Sequence, residues 1–228
     1  MFDAILFDLD GTLVDFVEAD TQSLKWLHNL ACPDICFDDF LETAVDEIMN
    51  FHGLVAENKI DPLLMHRFRL QNTFSKYNLA WNQEYVRLYQ KKLSELSIPF
   101  KGVEELLRKT KAKVKTGLIT NAYDECEQLE RIKSAGLEIY FDVIVVAGGI
   151  GIYKPNPAIF LSALKRLNVS PEKALYIGDS VAYDVLGAKA AGLKTVLFNQ
   201  NTKRNSNDAN YCVHGINELQ TLFDQIIL

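Results

Sequence analysis

The sequence predicts an α/β fold: a parallel sheet with helices on both faces, carrying a small four-helix domain inserted after the first strand. Three observations predict it. From Pro99 onward, short continuous apolar runs alternate with helical stretches, as expected of a sheet buried on both faces. An isolated apolar run, Ala4-Ile5-Leu6-Phe7, stands far upstream of them. Between the two, residues from about 18 to 97 repeat apolar side chains at three- and four-residue steps with few β-branched runs, the period of amphipathic helices.

Each element has its own signal. Ala4 to Phe7 reads as a strand, and Gly11 after it permits a sharp turn. In the insertion, Leu24, Leu27 and Leu30, then Phe40, Leu41, Val45 and Ile48, then Leu63, Leu64 and Phe68, then Tyr85, Leu88 and Leu93 mark four helices. Breaks are expected near Cys32-Pro33, Gly53, Asp61-Pro62 and Asn78. These limits divide the chain into a core of residues 1–14 and 99–228 and a helical domain of residues 15–98. In the core, strands are expected at 116–119, 143–147, 175–177 and 195–198, and helices near 102–111, 125–135, 156–167 and 181–191. Asn156-Pro157 and Ser170-Pro171 are helix starts, and Gly136 and Gly192 helix ends. The polar stretch Asn199 to Asn210 reads as a surface loop. The alternation as a whole specifies a Rossmann-like core.

Composition narrows the function classes. The 228 residues are 48% apolar and 24% charged, ordinary for a globular protein. No uncharged apolar run reaches the roughly 18 residues of a membrane span, and strand-like residues begin by Ala4, leaving no room for a signal segment. A cytoplasmic protein with no membrane partner is expected. Cys32, Cys36, Cys126 and Cys212 are scattered, which suggests reduced thiols. His28, Cys32 and Cys36 fall at four-residue steps, but Pro33 interrupts them and no fourth zinc ligand follows. The net charge is −6, and residues 15–98 hold 8 Lys/Arg against 13 Asp/Glu. That acidity argues against a nucleic-acid polymer as partner and favours a small substrate with one compact anionic group. Nothing in the sequence specifies an oligomeric state.

Ligands of open parallel sheets bind beyond the carboxyl ends of the strands. The residues found there are Asp8 and Asp10 after the first strand, Thr120 and Asn121 after the second, a glycine-rich loop leading to Lys154 after the third, and Asp179 after the fourth. Strand alternation through Asp8-Leu9-Asp10 would aim both carboxylates at one small volume, where they repel unless a cation or a shared proton lies between them. Carboxylates, a hydroxyl, an amide and one ammonium together suit a magnesium-phosphate site.

These same residues carry a resemblance. Asp8-Leu9-Asp10-Gly11-Thr12 resembles the first motif of the haloacid dehalogenase-like (HAD) hydrolase superfamily, in its phosphatase branch. Leu118-Ile119-Thr120-Asn121 resembles the second motif and Ile152-Tyr153-Lys154-Pro155-Asn156-Pro157 the third. Gly178-Asp179-Ser180-Val181-Ala182-Tyr183-Asp184, continuing through Gly187 to Gly192, resembles the fourth. The helical insertion matches the position of that family's cap. The resemblance implies an Mg2+-dependent phosphomonoesterase in which Asp8 is the nucleophile and forms an aspartyl-phosphate. It implies Asp10 as general acid and base, and Asp8, the Asp10 carbonyl and Asp179 as metal ligands. Thr120, Asn121 and Lys154 would bind the phosphate, and Asp184 would stand behind them, orienting Lys154 or a metal-bound water.

The run from Leu118 to Gly136, with Gln128 within it, is most similar to nucleotidases and sugar-phosphate phosphatases, although Ala122 stands where many nucleotidase-like members carry Gly. A 5′-nucleotidase is therefore one expectation. A sugar-phosphate mutase shares every motif and is an alternative. A 2-haloacid dehalogenase is a second, which Asp10 opposes because dehalogenases lack that acidic residue. A noncatalytic binding module would be expected to have lost one of the carboxylates. Phe16, Tyr123 and Tyr153 lie close in sequence to the motif residues and are candidates for contacts to a base or sugar, with Phe51, His52, Arg67, Arg69 and Trp81 as weaker candidates in the cap.

Overall fold

The computed structural model describes residues 2–200 and 205–226. The chain forms two compact units, Met1–Phe16 with Ile98–Leu228, and Val17–Ser97.

The helical unit follows the apolar spacing. Its helices are α1 (Phe16–Ala31), α2 (Phe37–Ala56), α3 (Met65–Lys76) and α4 (Glu84–Leu96). Asp61 accepts a hydrogen bond from the Leu63 amide at 2.9 Å and opens a single 3-10 turn, Pro62–Leu64, that leads into α3. Gly53 does not break α2 as expected. A lone glycine costs a helix only about 1 kcal/mol, which burial of Phe40, Ala44 and Phe51 along the same helix offsets. His28 is buried, bonded through Nε2 to the Ile35 carbonyl at 2.8 Å and packed against Phe37 and Phe40.

At the centre of this unit lies a buried ion pair. The Arg69 guanidinium binds both oxygens of Asp20, at 2.8 and 2.9 Å, and donates from Nε to the Ala44 carbonyl at 2.9 Å. Tyr89 bonds to the same carboxylate. Side chains of α1, α3 and α4 and the backbone of α2 therefore meet at one guanidinium that is 1% exposed. Arg69 and Phe51, weaker specificity candidates in the sequence, are core residues of the unit.

Among the described residues, the larger unit holds six parallel strands, β1 (Ala4–Phe7), β2 (Lys115–Thr120), β3 (Val143–Val146), β4 (Ala174–Gly178), β5 (Lys194–Phe198) and β6 (Tyr211–Val213). Their order is β3-β2-β1-β4-β5-β6, so β1 pairs with β2 on one side and β4 on the other. The winding reverses there, which opens a crevice at the carboxyl ends of β1 and β4. The helices are α5 (Val103–Lys111), α6 (Glu125–Ser134), α7 (Ala147–Ile150), α8 (Pro157–Leu167), α9 (Leu186–Ala190) and α10 (Ile216–Ile226).

Alternation along the strands builds two cores. Ile5, Phe7, Leu175 and Ile177 pack with Leu106 and Leu107 of α5, Ile132 of α6, and Leu219 and Phe223 of α10. Ala4, Leu6 and Tyr176 pack on the opposite face with Ile159, Phe160 and Ala163 of α8 and Ala188 of α9. Asn156 caps α8 by accepting from the Ala158 amide at 3.0 Å, with Pro157 in its first turn. Gly136 and Gly192 adopt φ of +70° and +89° beyond α6 and α9.

Several local details differ from the sequence expectation. Ala147 opens α7 instead of ending β3. The stretch 181–191 begins as a π-helical turn, Val181–Val185, before α9. Ser170-Pro171 starts a 3-10 turn, Pro171–Lys173, rather than a longer helix. The polar stretch Asn199 to Asn210 includes residues 201–204, which lie outside the described residues; beyond it come β6 and α10, which the sequence reading did not anticipate. Among the described residues, all four cysteines are free and no helix is long and apolar enough to cross a membrane.

Candidate active site

Because β1 ends at Phe7, strand alternation does not carry through to Asp10. Gly11, at φ +83°, turns the chain, and Asp10 bridges to Val14. The two carboxylates take different partners, Lys154 for Asp8 and Arg131 for Asp10.

Asp8, 5% exposed, accepts from Lys154 Nζ at 2.6 Å through Oδ1, and Thr12 Oγ1 lies 3.5 Å from its Oδ2. Burial pushes its carboxyl well above the ordinary range; the Lys154 ammonium pulls the other way, and Asp184 and Asp179 add to the rise. Lys154 also donates to Asp184 Oδ1 at 2.7 Å and to the Tyr176 hydroxyl at 3.2 Å. Burial works against this ammonium, but Asp184 and then Asp8 outweigh it and hold its pKa above the usual lysine value. All three of its hydrogens are engaged. Any further acceptor must displace one of them, and the Tyr176 contact is the longest.

Asp184 projects from the π-helical turn, 1% exposed, and its Oδ2 accepts from the Ser180 amide at 3.0 Å. A Cβ on Gly178 would lie 2.4 Å from the Asp184 carboxyl carbon, so only glycine fits at the end of β4. Asp179 follows on the exposed side. Oxygen atoms of Asp8, Asp179 and Asp184 all lie within 4.8 Å of one another. One ammonium cannot neutralise three carboxylates, and an all-oxygen donor set of this size fits a hard divalent cation such as Mg2+.

The other motif residues surround this centre. Asn121 accepts from the Lys154 amide at 2.9 Å and donates to the Lys154 carbonyl at 3.1 Å, so its side chain braces the loop that carries the lysine. Thr120 is buried and its hydroxyl accepts from Gln128 at 2.8 Å. Asp10 is gripped by Arg131 and Gln128 of α6. Tyr123 and Tyr153 lie with ring centroids 5.6 Å apart beside Asn121 and Lys154 in sequence. Tyr176 and Arg131 were not singled out from the sequence. Tyr176 carries the alternation signal of a core strand residue, and Arg131 lies three residues after Gln128, one helical turn along the same face.

A surface groove of about 700 Å³ lined by Asp3, Lys113, Lys115 and Arg166 opens at the amino ends of β1 and β2, the opposite end of the sheet from the carboxylates.

The chain is similar to known proteins. A family model described as haloacid dehalogenase-like hydrolase matches residues 2–192. A glyceraldehyde 3-phosphate phosphatase of Pyrococcus furiosus is 32% identical over 196 residues, covering 85% of this chain and 79% of its own. The pyrimidine 5′-nucleotidase YjjG of Escherichia coli is 32% identical over 237 residues, covering 97% of each chain. The magnesium-bound HAD-hydrolase YfnB of Bacillus subtilis matches with a TM-score of 0.79 over 100% of this chain and 99% of its own, at 24% identity, a likeness of fold.

Proposed function

The chain belongs to the haloacid dehalogenase-like hydrolases, and from that membership we propose that it is an Mg2+-dependent phosphomonoesterase acting on a small phosphorylated metabolite, a sugar phosphate or nucleoside monophosphate, through an aspartyl-phosphate at Asp8. The observation that carries this reading is the buried Asp8 carboxylate, fixed at 2.6 Å by Lys154, with carboxylate oxygens of Asp179 and Asp184 within 4.8 Å. The names of the two relatives, a sugar-phosphate phosphatase and a pyrimidine 5′-nucleotidase, support the substrate class.

In the first step a carboxylate oxygen of Asp8 attacks phosphorus, the bond to the ester oxygen breaks, and Asp10 gives its proton to that leaving oxygen. In the second, water attacks the phosphorus and passes a proton to Asp10, and the bond to Asp8 breaks to release phosphate. Lys154 holds Asp8 in place and Asp184 holds Lys154. The Thr120 hydroxyl and the second amide hydrogen of Asn121 bind phosphoryl oxygens. Asp8, Asp179 and the Asp10 carbonyl would hold the cation, with Asp184 behind them, and a cation held there would supply charge stabilisation to the phosphoryl oxygens. The helical unit, inserted where the family carries its cap, is the segment to which substrate specificity is assigned.

Hydrolysis of p-nitrophenyl phosphate tests the reading directly. Chelation with EDTA is expected to lower the rate by several kcal/mol of barrier, on the order of 10²-fold or more, and added Mg2+ to restore it; EDTA-insensitive turnover would sink the proposal. A panel of sugar phosphates and pyrimidine and purine monophosphates then identifies the substrate.

Gly11→Ala offers a second check. The new Cβ would lie 2.4 Å from Asp179 Oδ2 at a backbone φ of +83°, so Asp179 must shift. A displacement of that kind costs roughly 10²-fold in rate, and the variant is expected to need more Mg2+ for half-maximal activity; an unchanged Mg2+ requirement would contradict the assignment of Asp179.

A further inference from the structure

Asp10 is held by a clamp on α6. Arg131 donates from Nη2 to Oδ1 at 2.7 Å and from Nη1 to Oδ2 at 3.2 Å. Gln128 donates from Nε2 to Oδ2 at 3.2 Å. The clamp is itself braced: Arg131 Nη1 donates to Gln128 Oε1 at 2.8 Å, and the second Gln128 amide hydrogen goes to the Thr120 hydroxyl at 2.8 Å. The Phe16 ring lies 5.0 Å from the guanidinium carbon. Gln128 and Arg131 are only 2% and 4% exposed. A guanidinium taken this far from water requires a partner, and Asp10 provides it.

We propose that Arg131, supported by Gln128, is a positioning residue that fixes the Asp10 carboxylate in one orientation for proton exchange with the leaving group and the attacking water. A carboxylate offers about four lone-pair positions. The clamp fills one on Oδ1 and two on Oδ2, so the free position is on Oδ1, and this oxygen exchanges the proton. The bidentate geometry supplies what a single hydrogen bond would not, a defined plane for the carboxylate. Because Gln128 also binds Thr120, the orientation of Asp10 is tied to the strand tip that carries the second motif.

The inference rests on the phosphomonoesterase reading, so its test compares two esters. Leaving-group protonation matters little for p-nitrophenyl phosphate and much for phenyl phosphate. Arg131→Met is expected to lower kcat/KM for phenyl phosphate about 10²-fold and for p-nitrophenyl phosphate tenfold or less, with Arg131→Lys in between. Asp10→Asn should show the same discrimination more strongly. Equal losses on both esters in Arg131→Met, or no loss on either, alongside a discriminating Asp10→Asn, would overturn the clamp and leave the phosphatase reading standing. An Asp10→Asn protein that does not discriminate would overturn the reading, and the clamp with it. Should Arg131→Met fail to fold, Gln128→Leu removes the other strut and is expected to discriminate in the same direction; equal losses there would also overturn the clamp.

Discussion

An Asp8→Asn protein is expected to lose p-nitrophenyl phosphate hydrolysis by about 10⁴-fold or more, while remaining as stable as the parent. The two halves of this result have separate causes. The amide keeps the size and an acceptor oxygen but cannot form the phosphoenzyme, and removing a covalent nucleophile costs rates of this order. Stability responds differently because Asp8 is a carboxylate under strain, pushed toward its neutral form first by burial and then by Asp184 and Asp179, against the pull of Lys154. The neutral side chain removes that repulsion, and Lys154 keeps its 2.7 Å contact with Asp184. The unfolding free energy from urea denaturation is expected to stay within about 1 kcal/mol of the parent or to rise. Retained activity would sink the nucleophile assignment; a large loss of stability would show instead that Asp8 is a structural ion-pair partner.

Arg69→Met is expected to destabilise the helical unit by roughly 3–5 kcal/mol, the cost of breaking a buried ion pair. The loss includes two hydrogen bonds to Asp20 and one to the Ala44 carbonyl. Asp20, with its side chain 14% exposed, would be left without its counter-charge. Urea unfolding followed by circular dichroism measures the effect, and a change below about 1 kcal/mol would show that the pair contributes little. Adding Asp20→Asn to Arg69→Met removes the stranded charge and is expected to recover part of the loss, giving a positive coupling in the double-mutant cycle.

The sheet was legible because buried parallel strands leave continuous apolar runs, and the carboxyl-end rule converts those runs into a list of site positions. That rule points to Asp8, Asp179 and Lys154, whose side chains meet in the structure. What local sequence could not supply was the partner of each group. Arg131 meets a carboxylate 121 residues away, and helix periodicity shows which face it shares with Gln128 but not what that face meets. Tyr176 reads as one more apolar residue of β4, yet its hydroxyl reaches Lys154 and Asp184. The alternation rule does not extend to Asp10 because the strand stops three residues earlier. Gly53 misled because tertiary burial outweighs a propensity cost of about 1 kcal/mol. β6 is three residues long, too short to establish a period.

The central strand of the sheet is also the strand most remote in sequence from its neighbours. Ala4 pairs with Lys115 on one side and with Ala174 on the other, so every lateral bond of β1 waits for chain that is made much later. The ends of the intervening segment are drawn together at Val14 and Pro99, and the Phe100 amide bonds to the Leu13 carbonyl at 2.9 Å. A helical unit that folds on its own local contacts brings these ends close, sparing up to roughly 3 kcal/mol of loop-closure entropy. During synthesis, Asp8 emerges among the first residues but has neither β4 beside it nor Asp179 and Asp184 around it until the ribosome has passed them. The cluster of Asp8, Asp179 and Asp184 is therefore assembled late, with the closing of the sheet.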